Sequence, residues 1–244
     1  MITPHLHVSE KDINEYVLIM GDPGRVERSS LMLKNPKKVS ENRGFVVYNG
    51  EYKGVPVTLA STGIGIPSAA IVIEELVQCG AKTIIRVGSG GVTKKEIDTG
   101  DIVISTGVCK EEKSSLSYAP EGFAAVPNFE VLKALIDSAK ESKKKFFYGI
   151  TMCCDAFYTK NHRDLMEKWG EMGVIGSDME SSILFTLGEI KGFRVGFIFY
   201  AGMNIAKKET SKDIIKQEKQ RLEGEKNTII IALDAIKKLK EVNG

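Results

Sequence analysis

The chain has 244 residues, with 34 Lys+Arg against 32 Asp+Glu for a formal charge of +2. Hydrophobic residues make up 42% and charged residues 27%, which excludes a disordered chain of low hydrophobicity and high net charge. So small a charge makes no electrostatic case for nucleic acid, and no apolar run approaches the roughly 18–20 residues that span a bilayer.

In chain order, Tyr16–Met20 reads as a buried strand running into the turn Gly21-Asp22-Pro23-Gly24. Phe45–Tyr48 and Val55–Ala60 read as a β-hairpin joined by a longer loop over 49–54. Ser68–Cys79 has helical periodicity and stops at Gly80, a C-terminal cap. Thr83–Val87 is a second buried strand, closed by Gly88-Ser89-Gly90-Gly91, and Asp101–Thr106 is a third. Asn128–Lys140 is amphipathic. Tyr148–Met152 and Arg194–Tyr200 read as strands, with a helix over about 179–190 between them. From Ser211 to Val242 the pattern is helical, with Ile214, Ile215, Leu222, Ile229, Ile230, Leu233, Ile236 and Leu239 on its apolar side and Gly224 as a point of bending or splitting.

Strands alternating with helices predict an α/β fold: one domain over 1–244, with a central mixed, largely parallel twisted sheet flanked by helices. In such sheets ligands sit beyond the carboxyl ends of the strands. The glycine-rich segments at 21–24, 63–65 and 88–91 each follow a strand, so they are expected to converge on one crevice.

Glycine turns let backbone N–H groups approach an anion, and a following helix adds its positive end. Gly21-Asp22-Pro23-Gly24 is followed by Arg25, and Arg86 ends an apolar strand just before Ser89. An arginine there needs an anionic partner, either an internal carboxylate or a bound anion such as phosphate, and spacing does not choose between them. Asp178-Met179-Glu180 is open in the same way: a carboxylate opening a helix is a dipole partner, or in a crevice an acceptor for a sugar diol. The segment Gly63-Ile64-Gly65 lacks the third glycine of a dinucleotide fingerprint, and no Walker A motif or G-x-S-x-G elbow occurs. His5, His7 and His162 have no metal-ligand spacing and read as surface or satisfied core residues, so no metal is expected. Cys79, Cys109, Cys153 and Cys154 form no CxxC pair and no disulfide framework. With no basic start and apolar core at Met1–His5, they point to the cytoplasm.

Gly21–Val26, Ser61–Ser68, Glu74–Leu76, Arg86–Gly91, Gly100-Asp101 and Asp178–Ser181, in this order, resemble the nucleoside phosphorylase-I family. Ser115–Pro120, Ala125-Val126, Asp155–Tyr158 and Asn204–Glu209 resemble its uridine-cleaving branch. The resemblance implies a pentosyltransferase: nucleoside plus phosphate gives ribose 1-phosphate and free base, with phosphate as co-substrate and no cofactor. It implies phosphate ligands at Gly21, Arg25, Arg86 and Ser89, and at Arg43 reaching from a neighbouring subunit. Ribose contacts would be His5, also across an interface, with Met179 and Glu180. The base would face Gly91, Phe157, Asn161 and Arg163, and Arg86, Glu180 and Arg163 would carry catalysis. Shared residues imply a homo-oligomer, at least a dimer and by family habit a hexamer, with no nucleic-acid or membrane partner. Asn161 stands where the uridine enzymes have glutamine, and Ser89 where they have threonine. The aspartate of the purine enzymes after the strand at 194–200 is missing from Tyr200-Ala201-Gly202-Met203-Asn204, and Gly44 replaces the glutamate that holds an interface potassium in some relatives. Uridine is therefore the expected substrate. The alternatives are a purine nucleoside phosphorylase with an altered base pocket and a non-catalytic nucleoside-binding protein.

Overall fold

The computed structural model describes residues 1–243. In chain order they form β1 (Tyr16–Met20), α1 (Pro23–Ser30), β2 (Lys34–Asn42), β3 (Phe45–Tyr52), β4 (Val55–Ser61), α2 (Ile66–Gln78), β5 (Thr83–Val92), β6 (Ile102–Glu111) and α3 (Phe129–Ser142). There follow β7 (Phe146–Cys154), α4 (His162–Glu171), β8 (Gly176–Asp178), α5 (Ser181–Lys191), β9 (Arg194–Asn204), α6 (Ser211–Lys216) and α7 (Glu218–Asn243).

One nine-stranded sheet, in the order β2-β3-β4-β1-β5-β8-β7-β6-β9, carries the fold. It is mixed, with β1, β4 and β5 mutually parallel and β2-β3-β4 antiparallel. The sheet also closes on itself. β5 pairs with both β8 and β9, and β9, β6, β7 and β8 pair in turn, so these five strands form a ring. Closure removes the exposed edge that β9 would otherwise present. Helices α2 and α5 bury Ile66, Ile73, Leu76, Ile183 and Phe185 against one face. Helices α1, α3 and α7 bury Val26, Val131, Leu135, Ile229, Leu233 and Ile236 against the other.

Several boundaries differ from the sequence expectation for physical reasons. The 45–60 hairpin has no long loop: pairing runs to Tyr52↔Val55 around a two-residue turn, Lys53-Gly54. β5 does not stop at Val87 but continues through the glycines to Val92. Gly90 is required there because a Cβ would collide with Ser177 O and lie 2.9 Å from the Phe199 ring. These glycines thus serve close strand packing more than a loop. The C-terminal helix breaks at Gln217, not at Gly224. Gly224 lies inside α7, where a Cβ would sit 2.6 Å from Gly100 O. Ile215 and Leu222, expected on the apolar side, are exposed.

Candidate active site

β1, β4 and β5 deliver Gly21, Gly63 and the Arg86–Gly91 stretch to one end of the sheet, and β8 brings Ser177-Asp178 beside Gly91. There the chain encloses a cavity of about 510 Å³ lined by Gly21, Arg25, Arg86, Ser89, Gly91 and Phe157, with Met179 and Glu180 among the rest of its wall. The glycine segments converge on one crevice, as the topology of parallel strands requires.

Arg86 is its centre and is almost fully buried. Its Nε donates to Asp178 Oδ2 at 2.8 Å, and its Nη2 donates to Glu180 Oε2. The internal-carboxylate alternative is therefore realised, by two acids at once. Burial alone would lower the Arg86 pKa, but the charges of Glu180 and Asp178 hold it above the ordinary value. Burial pushes the Glu180 carboxyl up, and the Arg86 charge only partly offsets this. Both acids are anchored by backbone. Asp178 Oδ2 accepts from Glu180 N at 3.1 Å and Ser181 N at 2.9 Å, and Glu180 Oε1 accepts from Gly65 N at 2.7 Å. One donor is left over: Arg86 Nη1 is buried and has no hydrogen-bond partner. A buried, charged N–H without an acceptor costs about 1–3 kcal/mol or more.

Arg25 is set by α1, whose N-cap Asp22 accepts from Gly24 N and Arg25 N and whose first position is Pro23. Arg25 Nε donates to Glu225 Oε2 at 2.9 Å, Nη1 to Val87 O at 3.3 Å, and Nη2 to Ser89 Oγ at 3.4 Å and Tyr200 Oη at 3.3 Å. Its side is thus tethered by an internal acid while its Nη2 edge meets Ser89 on the cavity wall.

Other expected residues lie elsewhere. His5 is outside the cavity, with Nδ1 2.7 Å from Glu75 Oε1. Burial alone would raise the Glu75 carboxyl, but the N–H groups of Leu6 and His5 and the imidazole hold it below its ordinary value. Arg43 is exposed on the Arg43-Gly44 turn between β2 and β3, and Asn42 Nδ2 donates to His5 O at 2.8 Å, so His5 and Arg43 share one outer surface. Asn161 is exposed at the residue before α4. Arg163 turns to the segment after β9, donating from Nη1 to Ile205 O at 3.3 Å and from Nη2 to Glu209 O at 2.9 Å. Neither lines the cavity. Asn204 is fully buried, and its Nδ2 is spent on the carbonyls of Lys94 and Ile97.

Sequence reasoning passed over His162, Ser177, Cys154 and Ile64, all of which line the cavity. His162 was legible only as the neighbour of Asn161 and Arg163. The Cys154 thiol is pushed up to about 11 by burial, so it stays protonated.

Fold and cavity together define an α/β protein that presents arginines, a hydroxyl and buried carboxylates to a small anionic and hydroxyl-rich ligand. A family model described as the phosphorylase superfamily matches residues 15–237, and the chain belongs to that family. It is 36% identical over 245 residues to a uridine phosphorylase of Treponema pallidum, covering 96% of this chain and 93% of that one. It is also 36% identical over 195 residues to a guanosine phosphorylase of Halorubrum lacusprofundi, covering 80% of each. The crystal structure of uridine phosphorylase from Vibrio fischeri superposes with a TM-score of 0.91 at 34% identity, covering 97% of both chains.

Proposed function

We propose that this chain is a pentosyltransferase that catalyses reversible phosphorolysis of uridine to ribose 1-phosphate and uracil. The observation that carries the reading is Arg86: a buried guanidinium on the wall of the cavity, fixed on two sides by Asp178 and Glu180 with its Nη1 unpartnered, beside Arg25 and Ser89. That arrangement suits a phosphate oxygen, with further oxygens at Arg25 Nη2, Ser89 Oγ and the Gly21 backbone. Each Glu180 oxygen keeps a second lone pair for a ribose hydroxyl, and Met179 packs against the sugar. A phosphate oxygen forms the new bond to the anomeric carbon as the bond to the base breaks. The bonding pair leaves with the base, which then takes a proton from solvent. Positioning and fixed charges supply the catalysis, and inorganic phosphate is a co-substrate with no cofactor needed.

His5 and Arg43 complete the site from a neighbouring copy, as their common outer surface supports. The working protein is then at least a dimer with shared sites, and a hexamer by resemblance. The whole chain acts as one domain. We place the enzyme in the cytoplasm, which suits its four unpaired cysteines; separately, no helix among the described residues is long and apolar enough to cross a membrane.

The guanosine phosphorylase relative favours a second reading, purine nucleoside phosphorolysis. A panel of uridine, guanosine, inosine and adenosine, with and without phosphate, separates the two. Preferred cleavage of uridine is expected, and preferred cleavage of a purine nucleoside rejects uridine. Binding without any ribose 1-phosphate identifies a non-catalytic binding protein.

A further inference from the structure

We infer that Glu75 is a positioning residue for the reaction: it holds His5 as the Nδ1–H tautomer, so that Nε2 is a lone-pair acceptor for a sugar hydroxyl in the neighbouring copy's site; the inference rests on the phosphorolysis reading and the shared site proposed with it. Glu75 is buried in the last turn of α2, where no basic side chain accompanies it. A carboxylate there is unfavourable twice over, being desolvated and close to the negative end of the helix dipole. The N-terminal segment satisfies it. Oε1 accepts from His5 N at 3.0 Å, Oε2 accepts from Leu6 N at 2.7 Å, and Oε1 lies 2.7 Å from His5 Nδ1. Burial alone would raise the carboxyl, but these hydrogen bonds hold it below its ordinary value, so Glu75 is ionised near pH 7 and can only accept. Against such a partner Nδ1 carries the proton of a neutral imidazole, which leaves the lone pair on Nε2.

The backbone around His5 is pinned from the other side by β2. Asn42 Nδ2 donates to His5 O at 2.8 Å, and Ser40 Oγ donates to Leu6 O at 2.6 Å. Nε2 has no partner among the described residues, and the His5 side chain keeps 35% of its surface exposed. An acceptor held in this way matches a hydroxyl donor and not a phosphate or carbonyl oxygen. Of the three free hydroxyls on the ribose of uridine, the vicinal 2′ and 3′ pair suits the two oxygens of Glu180, and the 5′-hydroxyl remains for His5. Anchoring that end fixes the sugar's orientation against phosphate, so its loss lowers kcat/KM. The place of the ring proton is set by the hydrogen bond at Nδ1, and without the Glu75 charge nothing else in the described residues sets it.

The first measurement is nitrogen NMR of the wild-type imidazoles at alkaline pH, with only three histidines to assign and His5→Ala to mark the one in question. His5 should show a protonated Nδ1 and a bare Nε2, and in Glu75→Gln, whose amide can donate as well as accept, both tautomers should appear. The second measurement is kcat/KM at saturating phosphate for uridine and for 5′-deoxyuridine. Glu75→Gln should lose about 5- to 10-fold on uridine and little on the deoxy analogue. In a His5→Ala background Glu75→Gln should cost nothing further, because its effect passes through the imidazole, whereas a merely structural role costs the same on both substrates and in both backgrounds. A proton on Nε2 in the wild type, an unchanged tautomer in Glu75→Gln, equal losses on the two substrates, or additive losses in the double variant would each overturn the assignment. Should Glu75→Gln fail to fold, the wild-type tautomer and the uridine to 5′-deoxyuridine ratio in His5→Ala decide: a proton on Nε2 or an unchanged ratio overturns it. A tautomer that depends on Glu75 in a protein that cleaves no nucleoside would support the pairing while rejecting phosphorolysis.

Discussion

Around Arg86 each side-chain acid is held by backbone N–H groups and buried, whereas from Asp155 to Arg163 the chain is mostly exposed and touches the cavity through Phe157 and His162. Asp155 is tied back to Lys113 N at 2.9 Å, and Arg163 to two carbonyls, but Tyr158 is 98% exposed. The first region has its geometry built in by strand pairing and charge. The second hangs from its ends. Chemistry common to every nucleoside, the phosphate and the sugar, belongs in the rigid region, and selection among bases belongs where side chains can be exchanged without unfolding the sheet.

The sharpest way to break this contrast is Arg86→Ala. It leaves Asp178 and Glu180 buried without their counter-ion, and a cost of about 3–5 kcal/mol in denaturant unfolding is expected, with phosphate-dependent turnover abolished. Unchanged stability would show that the pair is not what rigidifies this wall. Glu180→Gln keeps the shape but removes the charge facing Arg86 and the sugar. A loss of about 10- to 150-fold in kcat/KM is expected, with the fold retained by circular dichroism; full activity would remove Glu180 from the site. Gly90→Ala drives a methyl into Ser177 O and the Phe199 ring, and about 1–3 kcal/mol of destabilisation follows as β8 shifts, read from the thermal midpoint.

The smallest effect sharpens the other side. Burial lowers the His162 pKa below its value of 6.5 in the unfolded chain. The stability tied to its neutral form is present above 6.5 and is lost as pH falls through the lower folded value. Unfolding midpoints taken between pH 7.5 and pH 5.5 should therefore fall more in the wild type than in His162→Gln. Equal slopes would mean that the ring is not desolvated.

The same contrast explains what could be read from the sequence. The apolar strands β1, β5 and β9 and the glycine segments announce themselves, because burial on both faces demands continuous apolar runs. Edge strand β2 does not: Lys34-Asn35-Pro36-Lys37-Lys38 is the polar, proline-bearing composition that protects a sheet edge, and it offers no apolar alternation to mark a strand. Helix α4 buries little beyond Met166 and Gly170, too few positions for a visible period. The three residues of β8 and the ring that they help to close depend on pairings distant in sequence, which no local pattern encodes. At the site, Arg86 was legible as a buried charge needing a partner, but its choice of Asp178 and Glu180 was not. Arg25 and Ser89 were placed by their loops. His162 was not, since nothing local distinguishes a histidine that opens a surface helix from one that faces a cavity.

The most direct measurement is the stoichiometry of uridine cleavage with and without inorganic phosphate. Uracil and ribose 1-phosphate should form in equal amounts, only when phosphate is present, and with saturation in phosphate. Free ribose released by water in its absence, or no cleavage at saturating phosphate, would contradict the role given to Arg86, Arg25 and Ser89.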